Sequence, residues 1–295
     1  MRFTLRQLEV FLAVARSDSV SQAARQLAMS QSAVSGALAD LEAQFEIKLF
    51  DRIGKRLELS ELGRSIRARA EALHEQAREL EGQLTQRSDM GLLRVGATLT
   101  IGNYLVVALM ARFVREHAGA RVTLHVANTA EIARKLENFE LDVALVEGEL
   151  QQADLAVTRW RDDELVVFCA PQHPFARKRS LTDDDLRRGA WIVREPGSGT
   201  RQAFDHAMHG ILPELHVELE LQHTEAIKSA VMAGLGVGCV SRLALAEEFR
   251  HKSLVPCRVP QRDFRRHFYF AVHQKKYQSA AIRAWLELCV SSTGG

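Results

Sequence analysis

Apolar residues at Leu5, Leu8, Val10, Phe11, Val14 and Ala15 recur at i, i+3, i+4 and i+7, and Thr4 stands before them as an N-cap, which predicts a first helix. A second begins after Ser19, buries Ala23, Ala24 and Leu27, and stops at Ala28 and Met29. Ser30 then caps a third helix whose inward positions are Val34, Leu38 and Leu41. Two short helices separated by about three residues, the second opened by a serine, form a helix-turn-helix pattern.

The outward face of the third helix carries Gln31, Ser32, Ser35 and Asp40, with small Ala33, Gly36 and Ala37 between them. Such a face suits a major groove, where Gln pairs with adenine, Ser reaches several base edges or phosphates, and small residues leave room for thymine methyls. The same residues also make an ordinary solvent face. The next segment favours the groove. Two apolar stretches flank Gly54, and Lys48, Arg52, Lys55 and Arg56 outnumber Asp51, a pattern that reads as a β-wing with basic residues for phosphates.

From Ser60 the apolar positions are Leu62, Ile66, Ala70, Leu73, Ala77, Leu80 and Leu84, a heptad-like seam between charged residues. The seam fits packing on its own chain or, better, helix against helix across a dimer. After a polar break at Gln86 to Gly91, short apolar runs alternate with helical patterns. The predicted order is strand Leu92 to Ala97, a helix near Tyr104 to His117, strand Val122 to Val126, a helix near Ala130 to Asn138, and strand Val143 to Val146. A second set comprises Glu164 to Phe168, Trp191 to Val193, a helix near Thr200, His216 to Leu221, a helix near Ala226 to Ala233, and Val237 to Ser241. Strand His267 to Val272 and a helix from Ser279 to Cys289 follow. Two α/β lobes with parallel sheets are expected.

A chain of 295 residues, 46% apolar, supports several cores. Its longest apolar run, Tyr104 to Ala111, is far short of the roughly 18 to 20 residues of a membrane span. The start of the chain, with Glu9 inside its apolar stretch, reads as folded structure rather than a leader, so a cytoplasmic location is expected. The net charge of +2 does not announce a nucleic-acid binder. Cys169, Cys239, Cys257 and Cys289 lack C-x-x-C spacing and suggest reduced thiols; a redox pair is the lesser alternative.

Together, Leu8-Glu9-Val10-Phe11, Ala23-Ala24, Leu27, Ser30 to Ser35, Leu38, Leu41-Glu42, Leu49-Phe50-Asp51-Arg52 and Leu62-Gly63 closely resemble the LysR-type transcriptional regulators. Ile101-Gly102-Asn103-Tyr104, Glu164 to Val167, Gly197 to Arg201 and Glu225 to Lys228 resemble the CysB-, CbbR- and YeiE-like branch that regulates sulfur and carbon metabolism. The resemblance implies an α+β multidomain fold: a winged helix-turn-helix over 1–59, a linker helix over 60–88, and a periplasmic-binding-protein-like effector domain over 89–295. Lobe I would hold about 89–162 and 267–295, and lobe II about 163–266. It further implies a homodimer through the linker helix, a homotetramer through the sensor domains, double-stranded promoter DNA and RNA polymerase as partners, and a small anionic effector such as sulfite.

Open parallel sheets bind ligands beyond the carboxyl ends of their strands, where helix N-termini favour anions. The loops there supply Thr98, Thr100, Asn128, Thr129, Glu147, Ser198 and Thr200 as candidate ligand residues. Singly, each hydroxyl or amide is better explained as a helix cap. The resemblance selects Thr98, Thr100, Thr129 and Thr200; Glu147 would select a protonated anion over a fully ionised one. Gln31, Ser32, Ser35, Arg52 and Arg56 are the candidate DNA contacts.

Gly234 to Gly238 follows a helix and precedes a strand, the reverse of dinucleotide-binding order, and reads as a C-cap and turn. Gly197 to Thr200 lacks the Lys of a phosphate loop, and His74-Glu75 lacks a second zinc-site histidine. Asp183-Asp184-Asp185 after Thr182 is a helix start rather than an acid pair. No catalytic residue, metal or cofactor is expected. The rival reading is an α/β solute-binding or enzymatic protein whose N-terminal helices mediate assembly without binding DNA.

Overall fold

The computed structural model describes residues 2–53, 56–85, 90–148 and 150–292, and of Arg56 the backbone only. Helix α1 (Leu5–Ser17) opens on a capping box between Thr4 and Gln7, α2 (Val20–Gln26) on Ser19, and α3 (Gln31–Phe45) on Ser30. Each cap satisfies a backbone N–H that the first turn leaves without a partner. Strands β1 (Phe50–Ile53) and β2 (Arg56–Leu59) pair antiparallel as the wing. Gly54 and Lys55 at its tip lie outside the described residues, as does the side chain of Arg56. Phe11, Leu12, Val34, Leu38, Leu49 and Phe50 form the core of this unit.

Helix α4 (Glu61–Leu84), capped by Ser60, divides the expected seam. Ile66 and Ala70 pack into the core of the winged unit. Leu73, Leu80 and Leu84 remain 40%, 56% and 76% exposed, so the described residues cover the distal half of the seam only in part.

The remaining residues form one sheet in the order β4-β3-β5-β11-β6-β9-β7-β8, with β10 on β6. Strands β3 (Leu92–Thr98), β4 (Arg121–Ala127) and β5 (Val143–Glu147) run parallel, as do β7 (Ala190–Arg194), β8 (His216–Leu221) and β9 (Val237–Ser241). Two antiparallel strands join these halves. Strand β6 (Leu155–Cys169) pairs from Leu155 to Glu164, past a bulge at Trp160, with β11 (Arg265–His273), then through Leu165 to Phe168 with β9 and through Val167 to Cys169 with β10 (Val255–Cys257). The two halves have separate cores, around Trp285, Phe113 and Phe268 in one and around Trp191, Phe204 and Phe175 in the other.

Strand β6 begins nine residues before the expected Glu164, because Arg159, Arg161, Asp162 and Asp163 interrupt the apolar signal on a strand buried on one side. The helix expected near Tyr104 to His117 is α6 (Val106–Glu116), and a further short helix, α5 (Leu99–Tyr104), precedes it across a break at Leu105 (φ −126°, ψ −48°). The others are α7 (Thr129–Glu137), α8 (Asp183–Arg188), α9 (Gly199–Ala207), α10 (Thr224–Met232), α11 (Ala246–His251) and α12 (Ala280–Ser291). Asp183 to Asp185 form the first turn of α8, with Thr182 and Asp185 in a capping box. Gly234 has φ +82° in the turn after α10. No helix among the described residues is long and apolar enough to cross a membrane.

Candidate ligand cleft and nucleic-acid interface

Strands β3 and β5 end side by side, and their last residues meet the first turns of α5, α7 and α9. Thr98 precedes α5 yet caps nothing. Its Oγ1 instead accepts the Glu147 N–H at 3.1 Å. The Glu147 carboxylate accepts the Thr100 N–H at 2.6 Å and the Thr200 hydroxyl at 2.8 Å. Thr129 Oγ1 donates to the Glu147 carbonyl at 3.0 Å and accepts the Gly199 N–H at 3.1 Å. Position 199 must be glycine for this contact: a Cβ there would stand 1.8 Å from the Glu147 carbonyl oxygen.

At the centre lies Arg266, which the sequence reading missed. Its Nη1 is 3.1 Å from Glu147 Oε2 and donates to Thr200 Oγ1 at 3.0 Å. Its Nε donates to Asp163 at 2.6 Å, and the other oxygen of Asp163 accepts from Ser241 at 2.7 Å. Nη2 of Arg266 is buried and has no hydrogen-bond partner among the described residues. A signal was present, since Arg266, Phe268 and Phe270 share the buried face of β11 at period 2. The expected strand began one residue too late to include it.

Both oxygens of the Glu147 carboxylate, expected to select a protonated anion, are engaged within the protein, by the Thr100 N–H on one side and by Thr200 and Arg266 on the other. Burial pushes its carboxyl pKa up, but Arg266 and the Thr100 and Thr200 hydrogen bonds outweigh burial and hold it below the ordinary value. Glu147 is an ionised structural partner of Arg266, with no proton to lose at neutral pH.

The seven candidates therefore fall into two groups. Thr98, Thr100, Thr129, Glu147 and Thr200 converge on one buried cluster. Asn128 and Ser198 cap α7 and α9, accepting from the N–H groups of Glu131 and Arg201. Asn128 also donates to Glu195 at 3.3 Å, and Glu195 is held by Arg194 through two bonds of 2.8 and 2.9 Å. A cavity of about 510 Å³ opens beside the cluster, bordered by Thr129, Gly197, Ser198, Gly199 and Gln202. Cavities of about 680 and 740 Å³ lie beside α4 and beside β10, away from the cluster.

In the winged unit, Gln31, Ser32 and Ser35 are exposed along the first turns of α3. Gln31 accepts from Ser21 at 3.1 Å and Ser32 lies 3.0 Å from the Ser30 hydroxyl. Among the described residues the side chains of Ser35 and Arg52 have no hydrogen-bond or ion-pair partner. Behind them, Glu42 fixes the wing to α3 by accepting the Leu49 N–H at 2.6 Å and the Phe50 N–H at 3.3 Å.

Residues 5–64 match the bacterial regulatory helix-turn-helix protein of the lysR family, and residues 86–293 match the LysR substrate binding domain. The chain is 42% identical to the HTH-type transcriptional regulator YeiE of Escherichia coli K12, over 98% of both chains. The regulatory domain of Synechocystis CcmR, solved in complex with 2-PG, is similar at 30% identity and TM-score 0.65, covering 70% of this chain and 98% of that one. Full-length OxyR of Pseudomonas aeruginosa shares the fold at TM-score 0.75 and 23% identity, over 99% of this chain and 95% of its own.

Proposed function

The chain belongs to the LysR family of DNA-binding transcriptional regulators with an effector-binding domain, and on that premise we propose that its effector is a small anion held between the two halves of the sheet. The ligand class is a sulfite-like oxyanion or a metabolite carboxylate or phosphate. One observation carries this: a buried guanidinium with an unused N–H, Nη2 of Arg266, where the first turns of α7 and α9 converge. An N–H donor without a partner favours an acceptor oxygen, and helix N-termini favour negative charge. That CcmR was solved with 2-PG supports the class. Thr98, Thr100, Thr129 and Thr200 are the hydroxyls at hand, and those of Thr129 and Thr200 now donate to Glu147 oxygens that a ligand oxygen can replace.

The division into a winged unit over 1–59, a linker over 60–88 and an effector domain over 89–295 assigns each part a task. Ser35, Gln31 and Ser32 read bases, and Arg52 and Arg56 hold phosphates. Exposed Leu73, Leu80 and Leu84 pair two chains through α4, and sensor domains pair two dimers on promoter DNA in the cytoplasm. Ligand binds the two arrangements of the sheet halves with different affinity and so alters the spacing of DNA domains, the bend of the duplex and its use by RNA polymerase.

The test is a gel-shift titration of the full chain on the promoter fragment upstream of its own gene, at two salt concentrations, with and without sodium sulfite, sulfate or phosphate. The expected result is a specific shift that weakens with salt and changes with one anion. Specific shifts indifferent to every anion, including carboxylates and phosphate esters, refute the anion reading and leave the regulator intact.

A further inference from the structure

Helix α7 reaches from the cleft to the linker helix. It spans about 13 Å at 1.5 Å per residue. At its first residue Thr129 ties the Glu147 carbonyl to the first turn of α9. Beyond its last turn, Asn138 accepts two bonds from Arg67 of α4, through its carbonyl and, at 3.4 Å, through its side-chain oxygen. The next residue, Phe139, has a left-handed backbone (φ +53°) and lays its ring 5.5 Å from the Arg67 guanidinium. The ring also meets His273, at 4.2 Å and 30°, and Lys276, whose Nζ lies 5.9 Å from its centroid. His273 ends β11, the strand that carries Arg266 in the cleft and joins the sheet halves. Both routes out of the cleft, α7 and β11, thus converge on Phe139.

Arg67 is buried, and the neutral oxygens of Asn138 are its hydrogen-bond acceptors; among the described residues its Nε has no partner. One turn further along α4, Glu71 is also buried and pairs with Arg16 of α1 through Nε at 3.0 Å and through Nη2. Arg67 and Glu71 are four residues apart and so share a face of α4. This single face grips the effector domain at one position and the first helix of the winged unit at the other.

We infer that Arg67 is a positioning residue that couples the ligand cleft to the DNA-binding unit. A rearrangement at Thr129 or along β11 moves the Asn138–Phe139 seat, and Arg67 passes the movement to α4 and, through Glu71 and Arg16, to α1. The inference rests on the cleft as the ligand site. Its energetic content is a coupling between two sites, which a double-substitution cycle measures directly.

The cycle combines Thr129→Ala in the cleft with Arg67→Ala in the linker, read in the full chain as affinity for a DNA fragment selected from a random pool. Thr129→Ala alone is expected to change that affinity at least fivefold, within the 5- to 150-fold range of allosteric couplings. In the Arg67→Ala background the change falls below twofold. Phe139→Leu, which keeps an apolar side chain but removes the ring, gives the same loss and guards against a folding defect of Arg67→Ala. Arg67→Lys, which keeps the charge but loses the fork, falls between. Sodium sulfite serves as a separate probe: Arg67→Ala binds it as the natural chain does, within twofold by calorimetry, while its effect on DNA affinity disappears. A Thr129→Ala effect that persists in both the Arg67→Ala and Phe139→Leu backgrounds overturns the coupling, as does a Thr129→Ala chain with unchanged DNA affinity. If sulfite does not bind the natural chain, the choice of ligand fails on its own and the cycle still decides the coupling.

Discussion

The recognition face of α3 and the cleft at the ends of β3 and β5 are built from similar polar residues under opposite rules. On α3, Ser35 is exposed and unpartnered, its turn already held by the Ser30 cap and by Val34 and Leu38 beneath it. In the cleft, Thr98, Thr100, Thr129 and Thr200 are buried and bonded to neighbours on other elements, around an Arg266 shared by Glu147 and Asp163. A surface that awaits a large partner leaves its donors in water, at no cost to the fold. A site inside the protein must satisfy nearly all its donors before the ligand arrives, and among those of this cluster Nη2 of Arg266 is the one left over. Substitutions should therefore separate folding from recognition on α3 and fail to separate them in the cleft.

The largest effect is expected at Arg266. Arg266→Ala leaves the Glu147 and Asp163 carboxylates buried beside each other without their cation, and breaking a buried ion pair of this kind costs about 3–5 kcal/mol. Urea unfolding should show that loss with an unchanged response to denaturant, and anion binding should vanish with it. A variant with natural stability would mean that the cluster is already open to water in solution.

Acid should act on the same cluster next. Because the folded-state pKa of Glu147 lies below its ordinary value, its contribution to stability is fully present above the ordinary glutamate range, near about 4.3, and is lost as pH falls through the folded value. The expected outcome is a drop in unfolding midpoint below that range that is shallower in Glu147→Gln, a variant less stable at neutral pH. Parallel curves for the two proteins would remove Glu147 as the source.

The same contrast explains what could be read in the sequence. Thr4, Ser19, Ser30 and Ser60 all cap helices where the apolar periodicity placed the starts, because a cap and the first turn it serves lie within four residues. The cleft draws on residues from 98 to 266, and nothing local marks Arg266 as the partner of Glu147, 119 positions away. Candidate hydroxyls were legible as loop residues after strands. Their division into the caps Asn128 and Ser198 and the buried cluster was not, since both kinds occupy the same place in the local pattern. The α4 seam misled in a third way: spacing alone treats Ile66, Ala70, Leu73 and Leu80 alike, while the winged unit covers only the first two.

The smallest effects belong to α3 and the wing, and they test the comparison most directly. Ser35→Ala removes an exposed hydroxyl with no partner, so stability should stay within about 0.5 kcal/mol of the natural chain. Base preference should relax by about 1–3 kcal/mol at one operator position. Arg52→Ala is equally silent for folding, because the guanidinium is exposed and unpaired, yet it should weaken binding to all sequences alike and lower the salt slope by about one. Selection from a random pool at two salt concentrations distinguishes the two variants. If Ser35→Ala instead lost affinity uniformly, the first turns of α3 would be touching phosphates rather than bases. The docking of the helix would then have to be rotated, with the stability result unchanged, because on this face folding and recognition use different atoms.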